Sequence, residues 1–306
     1  MKISFVIPVY RNEGALSKTY EKIKTLFSTV LSEYHYEILF VDDGSDDGSL
    51  KELLDLRKND SCVKIITFTR NFGQVSAILA GFKEATGDAI VDISADMQDP
   101  IELIVDMIEK WKAGAEIVIC YRTDRSDSFS ENFFSRFAYG VLRLSNPQIP
   151  PGGFDFFMMD RKALDTFNAI DVRNRFFQSD VLSMGYRISF IPYVRLKRVI
   201  GKSQYTFMKK LKYFLDGFLN SSYLSIRFIS CCGIVISFIG VVYSLIIFYT
   251  WFRGATPFTG WTPIMMAILI IGGLLMLMLG IIGEYVWRIY DEVRKKPQFI
   301  IRDKFL

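Results

Sequence analysis

Apolar and polar positions along the first 120 residues form short blocks that predict strands and helices in regular alternation. Runs rich in Ile and Val predict buried strands at residues 2–9, 37–41, 63–68, 88–93 and 116–120. Blocks with helical spacing lie between these runs, at residues 13–31, 47–57, 74–85 and 100–112. This alternation predicts an α/β domain in which helices cover both faces of a mostly parallel sheet.

The pattern becomes irregular beyond residue 120, where residues 154–159 and 187–193 predict further strands. Residues 205–219 place large apolar side chains on one helical face and lysines elsewhere, namely Phe207, Leu211, Phe214 and Phe218 against Lys209, Lys210 and Lys212. A basic amphipathic helix is typical of a segment that lies in a membrane interface, and we assign residues 204–227 to it. An ordinary surface helix of the preceding domain, residues 1–203, is the alternative.

Two long apolar runs follow at residues 228–251 and 263–287, and Glu284 is the one charged residue within them. Each run exceeds the roughly 20 residues that a helix needs to cross a hydrocarbon core, so the pattern predicts two transmembrane helices. Basic residues crowd the tail at residues 288–306, whereas the loop between the two runs carries only Arg253. The positive-inside rule then predicts that the tail and the N-terminal domain lie in the cytoplasm.

Composition narrows the chemistry that this chain can carry out. The 306 residues have a formal net charge of +4, which does not indicate a nucleic-acid partner. The four cysteines show no metal-binding spacing, and the single histidine, His35, lies in a predicted polar turn. We therefore expect carboxylates, rather than a His-based triad or a zinc site, to supply any acid–base or metal chemistry.

Chemically active side chains gather where the predicted strands end. Four segments do so, namely residues 7–13 (IPVYRNE), 41–45 (VDDGS), 69–73 (TRNFG) and 94–100 (SADMQDP). Ligands of parallel α/β sheets bind beyond the carboxyl ends of the strands, so we expect these segments to form one site. Each segment alone is unspecific, because a sequence such as Asp-Asp-Gly-Ser is most often only a turn.

With these segments in this order, the chain resembles the family 2 glycosyltransferases. Within them it is similar to the polyprenyl-phosphate subgroup, which includes bactoprenol glucosyltransferases and dolichol-phosphate mannosyltransferases. The resemblance extends to residues 153–165, 173–178, 198–207 and 279–297. It implies a GT-A fold, which is Rossmann-like, and the transfer of a sugar from a UDP-sugar to a polyprenyl phosphate such as undecaprenyl phosphate.

The resemblance also implies the residues of the donor site. These are Pro8, Tyr10, Glu13, Asp42, Arg70, Asp96 and Gln98. Asp96 matches the second aspartate of the family's Asp-x-Asp motif and would hold Mg²⁺ or Mn²⁺, since both cations prefer oxygen ligands. Ser94 stands in place of the first aspartate, which should weaken the metal site or leave a water there. Asp43 is either a second donor residue or a residue that shapes the turn, and Asp92 is assigned a structural role.

On the acceptor side, the resemblance assigns Asp155 and Arg198 to catalysis and Arg122, Arg136 and Ser203 to the lipid phosphate. Guanidinium groups suit phosphate because they bind two of its oxygens at once. Asp155 matches the aspartate usually drawn as the general base. Because the second pKa of a phosphate monoester is about 6, the alternative is that Asp155 orients neighbouring groups. Direct in-line attack predicts inversion at the sugar.

Together these features and the resemblance predict an inverting, metal-dependent enzyme of a bacterial inner membrane that makes a lipid-linked sugar. The resemblance alone implies that this product serves O-antigen-type envelope glycan modification. Glucose is the expected sugar, and the resemblance implies a homotetramer. An N-acetylhexosamine, galactose or mannose is an alternative donor sugar. Another alternative, favoured by Ser94 alone, is a catalytically silent membrane module that binds nucleotide. A processive synthase is not expected, because the Gln-x-x-Arg-Trp motif is absent where Gln178 stands.

Overall fold

The computed structural model describes residues 1–124, 146–151, 153–170, 176–195 and 262–306, with isolated positions at 140, 143 and 172 and part of 233–253. These residues form two compact units. The first contains Met1–Gly217 together with Pro297–Leu306, and the second contains Phe218–Lys296.

The described part of the first unit is built on an eight-stranded sheet with the order β7-β5-β6-β4-β1-β2-β3-β8. Its strands are β1 (Lys2–Val9), β2 (His35–Asp42), β3 (Val63–Phe68), β4 (Ala89–Asp92), β5 (Ile117–Asp124), β6 (Phe156–Asp160), β7 (Ile188–Val194) and β8 (Ile301–Phe305). Its helices are α1 (Leu16–Thr29), α2 (Ser49–Asn59), α3 (Gln74–Glu84), α4 (Leu103–Lys112), α5 (Arg161–Ala169) and α6 (Phe177–Ser183).

The centre of the sheet confirms the predicted mostly parallel α/β arrangement. Strands β4, β1, β2 and β3 pair in parallel, and so do β5 and β7. Strand β6 runs antiparallel between β4 and β5. Because the carboxyl ends of β1, β2 and β4 lie at one edge, the loops that follow them are brought together there.

The apolar runs of the central strands are continuous because both faces of the sheet are covered. On β1, Phe5 and Ile7 face a core that includes Leu16 and Ile23 of α1. Val6 points to the other face and packs against α3. A Cβ at Gly81 would lie 2.4 Å from the Val6 side chain, so this glycine allows α3 to approach the sheet closely.

At the opposite edge of the sheet, the buried Glu37 carboxylate joins three elements. It accepts bonds from the amines of Lys2 at 2.6 Å and Lys64 at 2.8 Å, from the Ser4 hydroxyl at 2.5 Å and from the Thr86 backbone amide at 2.7 Å. Burial alone would raise the pKa of Glu37, but the bonds from Lys2, Lys64 and Ser4 lower it to about 2. The ionised carboxylate therefore stabilises this edge.

The C-terminal strand was not predicted. Residues 288–306 are assigned only to a basic tail by the sequence, yet β8 pairs antiparallel with β3 at the sheet edge. Just before this strand, the Phe299 ring stacks on Phe68 with centroids 5.1 Å apart. The Thr69 backbone amide donates to the Ile300 carbonyl at 3.1 Å. The end of the chain thus completes the sheet beside the loop at residues 69–73.

The described part of the second unit contains one helix long and apolar enough to cross a membrane. Helix α7 covers Thr262–Arg294 and continues beyond the predicted end at residue 287. Its apolar part, Ile270–Arg294, has a mean hydropathy of 1.9. The described positions within the other predicted span, residues 228–251, are helical, but they are scattered, so two spans remain a prediction. The predicted interfacial helix at residues 204–227 lies outside the described residues.

The Glu37 cluster should make stability depend on pH in the acidic range. The folded-state pKa of Glu37 lies below its unfolded value, so its contribution is present above the unfolded pKa and is lost as pH falls towards 2. We expect the Glu37→Gln substitution to cost about 3 kcal/mol at pH 7 and progressively less towards pH 3. The melting temperatures of the wild type and of Glu37→Gln between pH 7 and pH 3 measure this effect. Glu33→Gln is the control, because its pair with Lys112 at 2.9 Å is exposed, and an equal loss there would contradict the prediction.

The β8 contacts should contribute measurably to stability. Phe299 is partly buried against Phe68, so Phe299→Ala should cost about 2 kcal/mol and lower the melting temperature by roughly 5 °C. The neighbouring Ile300, 51% exposed, provides a matched truncation, Ile300→Ala, that should change the melting temperature little. Equal effects of the two substitutions would show that this segment does not pack as described.

Candidate active site

The site lies at the edge where β1, β2 and β4 end. Val9, the last residue of β1, is in register with Asp42, and Val6 is in register with Asp92. The strand ends are therefore adjacent, and the loops at residues 10–14, 43–48 and 93–99 follow them directly. Pro8 lies within β1 beside Val41 and so forms part of the floor of this edge.

The loops after β1 and β2 are joined by side chains. The Arg11 guanidinium binds both carboxylate oxygens of Asp46, each at 2.6 Å. Glu13 accepts a bond from the Gly48 backbone amide at 3.1 Å, at the start of α2. Glu13, predicted as a donor-binding residue, thus also fixes the beginning of that helix. Tyr10 lies between these contacts, with the Arg11 guanidinium 5.3 Å from its ring centre.

Asp42 and Asp43 are both buried at the end of β2, but they bind different loops. Asp42 accepts a bond from the Ser45 amide at 3.2 Å within its own turn, and burial raises its pKa. Asp43 instead accepts bonds from the amides of Phe72 at 2.6 Å and Gly73 at 2.8 Å. Burial raises the pKa of Asp43 to about 6, although these two amide bonds oppose the shift. Asp43 therefore holds the loop at residues 69–73 in place.

That loop carries Arg70 to the same edge. Gly44 has a φ of +69°, and a Cβ there would lie 2.6 Å from the Arg70 carbonyl carbon, so only glycine permits this approach. The Arg70 guanidinium covers the Phe72 ring at 4.1 Å and is exposed. The structure thus brings Arg70 beside the turn of Asp42, as the sequence predicts for one donor site.

The loop after β4 places three oxygen-bearing side chains together. The Ser94 hydroxyl lies 3.0 Å from Oδ1 of Asp96 and 2.5 Å from Oδ2 of Asp99. The Gln98 backbone amide donates to Oδ1 of Asp96 at 3.2 Å. Asp96 is 8% exposed and Asp99 is 3% exposed, so the negative charge is concentrated at the base of the loop.

An ion pair between Arg122 and Asp155 lies next to this loop. The Nη2 atom of Arg122 donates to Oδ2 of Asp155 at 2.7 Å, and its Nε donates to the Tyr193 hydroxyl at 3.4 Å. The Tyr193 hydroxyl in turn donates to Oδ1 of Asp99 at 2.7 Å. Burial alone would lower the pKa of Arg122, but the charge of Asp155 raises it overall. The guanidinium is therefore a permanent cation beside the carboxylates.

Asp92, the last residue of β4, precedes the loop, and its structural role stays a prediction. It is fully buried, and its Oδ1 has no hydrogen-bond partner in the described part of the protein. Burial raises the pKa of Asp92 far above its ordinary value, and the charges of Asp155 and Asp99 add to this effect. Burial thus favours the protonated form of Asp92.

The side-chain oxygens of this loop suit a hard divalent cation that takes most of its ligands from other molecules. Among the described residues, no group of three or more His, Cys, Asp or Glu side chains is arranged to hold a metal alone. Ser94 and Asp96 offer adjacent oxygens 3.0 Å apart. Mg²⁺ typically uses one or two carboxylates together with phosphate oxygens and water, and this set fits that pattern.

Two residues of this network, Asp99 and Tyr193, were missing from the sequence prediction. Asp99 lay within the segment at residues 94–100, but no pattern distinguished it from a turn-forming acid. Tyr193 ended a predicted strand and gave no chemical signal. The predicted residues Arg136, Arg198 and Ser203 lie outside the described residues.

Comparison with known proteins agrees with this architecture. Residues 4–167 match the family "Glycosyl transferase family 2". An uncharacterized glycosyltransferase, YkcC, of Bacillus subtilis is 38% identical over 100% of this chain and 94% of its own length. The prophage bactoprenol glucosyl transferase homolog of Escherichia coli is 33% identical over 99% of both chains.

A more distant similarity is found among solved structures. Glucosyl-3-phosphoglycerate synthase from Mycobacterium tuberculosis, in complex with Mn²⁺, UDP-glucose and phosphoglyceric acid, is 16% identical, with a TM-score of 0.48 over 71% of this chain and 77% of that one. The assignment therefore rests on the family match and the relatives of nearly full length. The protein is a glycosyltransferase, and it belongs to glycosyl transferase family 2.

Proposed function

We propose that this glycosyltransferase transfers glucose from UDP-glucose to a polyprenyl phosphate such as undecaprenyl phosphate. The observation that carries the proposal is the network from Asp96 through Ser94, Asp99 and Tyr193 to Arg122. It sets a loop suited to a metal-bound diphosphate beside a cation suited to an acceptor phosphate. The relative named bactoprenol glucosyl transferase homolog matches nearly the whole chain, which supports this choice of sugar and acceptor.

On the donor side, the buried Asp42 carboxylate accepts hydrogen bonds from the base or ribose of UDP, with Pro8, Tyr10 and Glu13 shaping the pocket. Arg70 reaches the donor from the loop held by Asp43. Asp96 and Ser94 would hold Mg²⁺ or Mn²⁺, and Gln98 fixes Asp96. When bound, the cation neutralises the charge that develops on the leaving diphosphate.

On the acceptor side, Arg122 binds the lipid phosphate. Its Nε and Nη2 atoms already have partners, whereas Nη1 has none among the described residues and is suited to a phosphate oxygen. Asp155 holds Arg122 at 2.7 Å. We assign Asp155 the role of positioning Arg122, because a phosphate monoester with a second pKa of about 6 is an ionised nucleophile at neutral pH. In-line attack then inverts the sugar.

The remaining parts of the proposal concern residues of the first unit that lie outside the described ranges, and the second unit. Arg198 stabilises the diphosphate, and Arg136 and Ser203 contribute to the acceptor site. The apolar helix α7 supports placement in a bacterial inner membrane, with the catalytic domain and C-terminus cytoplasmic and a second span at residues 228–251. A homotetramer and a role in O-antigen-type envelope glycan modification complete the proposal.

A catalytically silent nucleotide-binding module is the second candidate, and Ser94 is the observation that favours it. A hydroxyl carries no charge, so the loop has one carboxylate fewer than an Asp-x-Asp motif. The buried Asp99 beside Ser94 weakens the case for a silent module, because its carboxylate supplies a second negative charge 2.5 Å from the Ser94 hydroxyl. The same reaction with another hexose or N-acetylhexosamine is tested by the same assay.

The primary test is turnover of the full-length protein in detergent with undecaprenyl phosphate, Mg²⁺ or Mn²⁺ and a panel of UDP-sugars. We expect UDP release and a lipid-linked product with UDP-glucose, loss of both on chelation, and a fall of at least about 100-fold in Asp96→Ala. Asp88→Ala, at the opposite end of β4, is the control and should retain activity. UDP binding without release for any sugar would favour the silent module.

The role of Asp155 is tested by its pH dependence. If Asp155 positions Arg122, Asp155→Asn should lower kcat/KM for undecaprenyl phosphate about tenfold and leave UDP affinity unchanged. Activity of wild type and variant should then fall together below about pH 6, as the acceptor phosphate becomes protonated. Asp165→Asn, which alters an exposed pair with Arg161 at 3.6 Å, is the control. Abolition of transfer at every pH by Asp155→Asn alone would instead identify a general base.

A further inference from the structure

Asp99 is a buried carboxylate that accepts three hydrogen bonds, although no motif assigns it a role. Its side chain is 3% exposed. Oδ2 accepts the Ser94 hydroxyl at 2.5 Å and, more weakly, the Ser94 backbone amide at 3.4 Å. Oδ1 accepts the Tyr193 hydroxyl at 2.7 Å. Each carboxylate oxygen of Asp99 thus accepts a bond from a specific donor. These donors are Ser94, in the loop at residues 93–99, and Tyr193 on β7.

The Ser94 hydroxyl has one proton and two carboxylate neighbours. Asp99 lies at 2.5 Å and Asp96 at 3.0 Å, so the shorter bond takes the proton. The lone pairs of Ser94 then face the Asp96 oxygen. The Gln98 amide donates to the same Asp96 oxygen at 3.2 Å, and the Ser94 and Asp96 oxygens, 3.0 Å apart, are both suited to a hard cation. Asp99 thereby turns Ser94 into an oxygen ligand for a hard cation.

Tyr193 connects this arrangement to Arg122, the cation proposed to bind the acceptor phosphate. Its hydroxyl proton is donated to Asp99, so its lone pairs are directed to the Nε–H of Arg122 at 3.4 Å. Burial and then the charge of Asp99 raise the pKa of the phenol, so it stays protonated as a donor. The ring packs edge-on against Phe156 with centroids 6.2 Å apart, which holds the hydroxyl in place.

We propose that Asp99 and Tyr193 are positioning residues that fix the metal-binding loop and the acceptor-binding Arg122 in one geometry. Asp99 supplies, through Ser94, the negative charge that the first aspartate of an Asp-x-Asp motif supplies directly. Tyr193 transmits the position of Asp99 to Arg122. The proposal rests on the proposed function, since it requires both a metal-bound donor and a phosphate acceptor.

The Tyr193→Phe substitution tests the connection while keeping the ring. We expect about tenfold weaker Mn²⁺ binding in the presence of UDP, measured by electron paramagnetic resonance on the full-length protein, and a KM for undecaprenyl phosphate raised by a similar factor. Tyr20→Phe is the matched control, because Tyr20 is equally buried and donates to Asp60 at the same 2.7 Å, far from the site. It should change neither quantity.

A second set of variants tests whether Asp99 acts on Mn²⁺ binding through Ser94, and it includes a variant that should rescue this binding. Asp99→Asn should weaken Mn²⁺ binding about tenfold, Ser94→Ala should do the same, and the double variant should be no weaker than either alone, because the two residues act as one unit. Adding Ser94→Asp to Asp99→Asn should restore Mn²⁺ binding, since a carboxylate then occupies position 94. The melting temperature of each variant confirms that it is folded.

The outcomes distinguish the positioning role of Asp99 and Tyr193 from the proposed function. If the wild type binds Mn²⁺ with UDP, but folded Tyr193→Phe and Asp99→Asn bind it equally well, the positioning role is wrong and the proposed function stands. If the wild type binds neither Mn²⁺ nor UDP, both are wrong. Additive losses in the Asp99 and Ser94 double variant would contradict the step in which Asp99 acts through Ser94.

Discussion

The burial of aspartates at one edge of the sheet is the constraint on which the site depends. Five are buried there among the described residues, namely Asp42, Asp43, Asp92, Asp96 and Asp99. Removing a carboxylate from water costs several kcal/mol unless hydrogen bonds or a counter-charge compensate, so an ionised buried carboxylate must be held by specific donors. Four of the five have such donors, and Asp92 is the exception, since its Oδ1 has no partner among the described residues. These donors are loop amides and hydroxyls, and the loops of the site are therefore positioned by carboxylates. The resulting negative field suits a divalent cation before any substrate is present.

Arg122 is a largely buried cation at this edge, and its guanidinium already has two partners. Its guanidinium binds Asp155, which is half exposed, and it touches Tyr193, which is buried. Under the proposed function, the acceptor phosphate approaches from the exposed side, where Asp155 screens the charge of Arg122 from solvent but leaves Nη1 available. The pair thus keeps a buried arginine ionised and oriented without neutralising its remaining donors. Burial raises the pKa of Asp92 and so disfavours a further charge beside this pair.

The sequence predicts the parts of this protein that local patterns encode. The central strands are Ile- and Val-rich because both faces are buried, and their order with the intervening helices specifies the parallel sheet and its carboxyl edge. Strand β8 was missed because its sequence, IRDKF, is short and charged, and its pairing with β3 spans more than 230 residues. Asp99 and Tyr193 were missed for the same reason, since their bond joins positions 94 residues apart. Glu13 was predicted for the donor, but its contact with Gly48 at the start of α2 is visible only in three dimensions.

The position of the loop at residues 69–73 depends on the C-terminal segment, which is distant from it in the sequence. Asp43 fixes the end of the loop at residues 69–73, but its beginning is fixed by the C-terminal segment. The Thr69 amide donates to the Ile300 carbonyl at 3.1 Å, and the Arg302 guanidinium donates to the Thr69 carbonyl at 3.2 Å. Both partners follow the apolar helix α7 in the sequence, so these bonds form only after that helix has been synthesised. Non-local pairing of this kind is late in folding because loop closure must precede it. The loop that carries Arg70 therefore reaches its final geometry only when the segment with Ile300 and Arg302 has paired beside it.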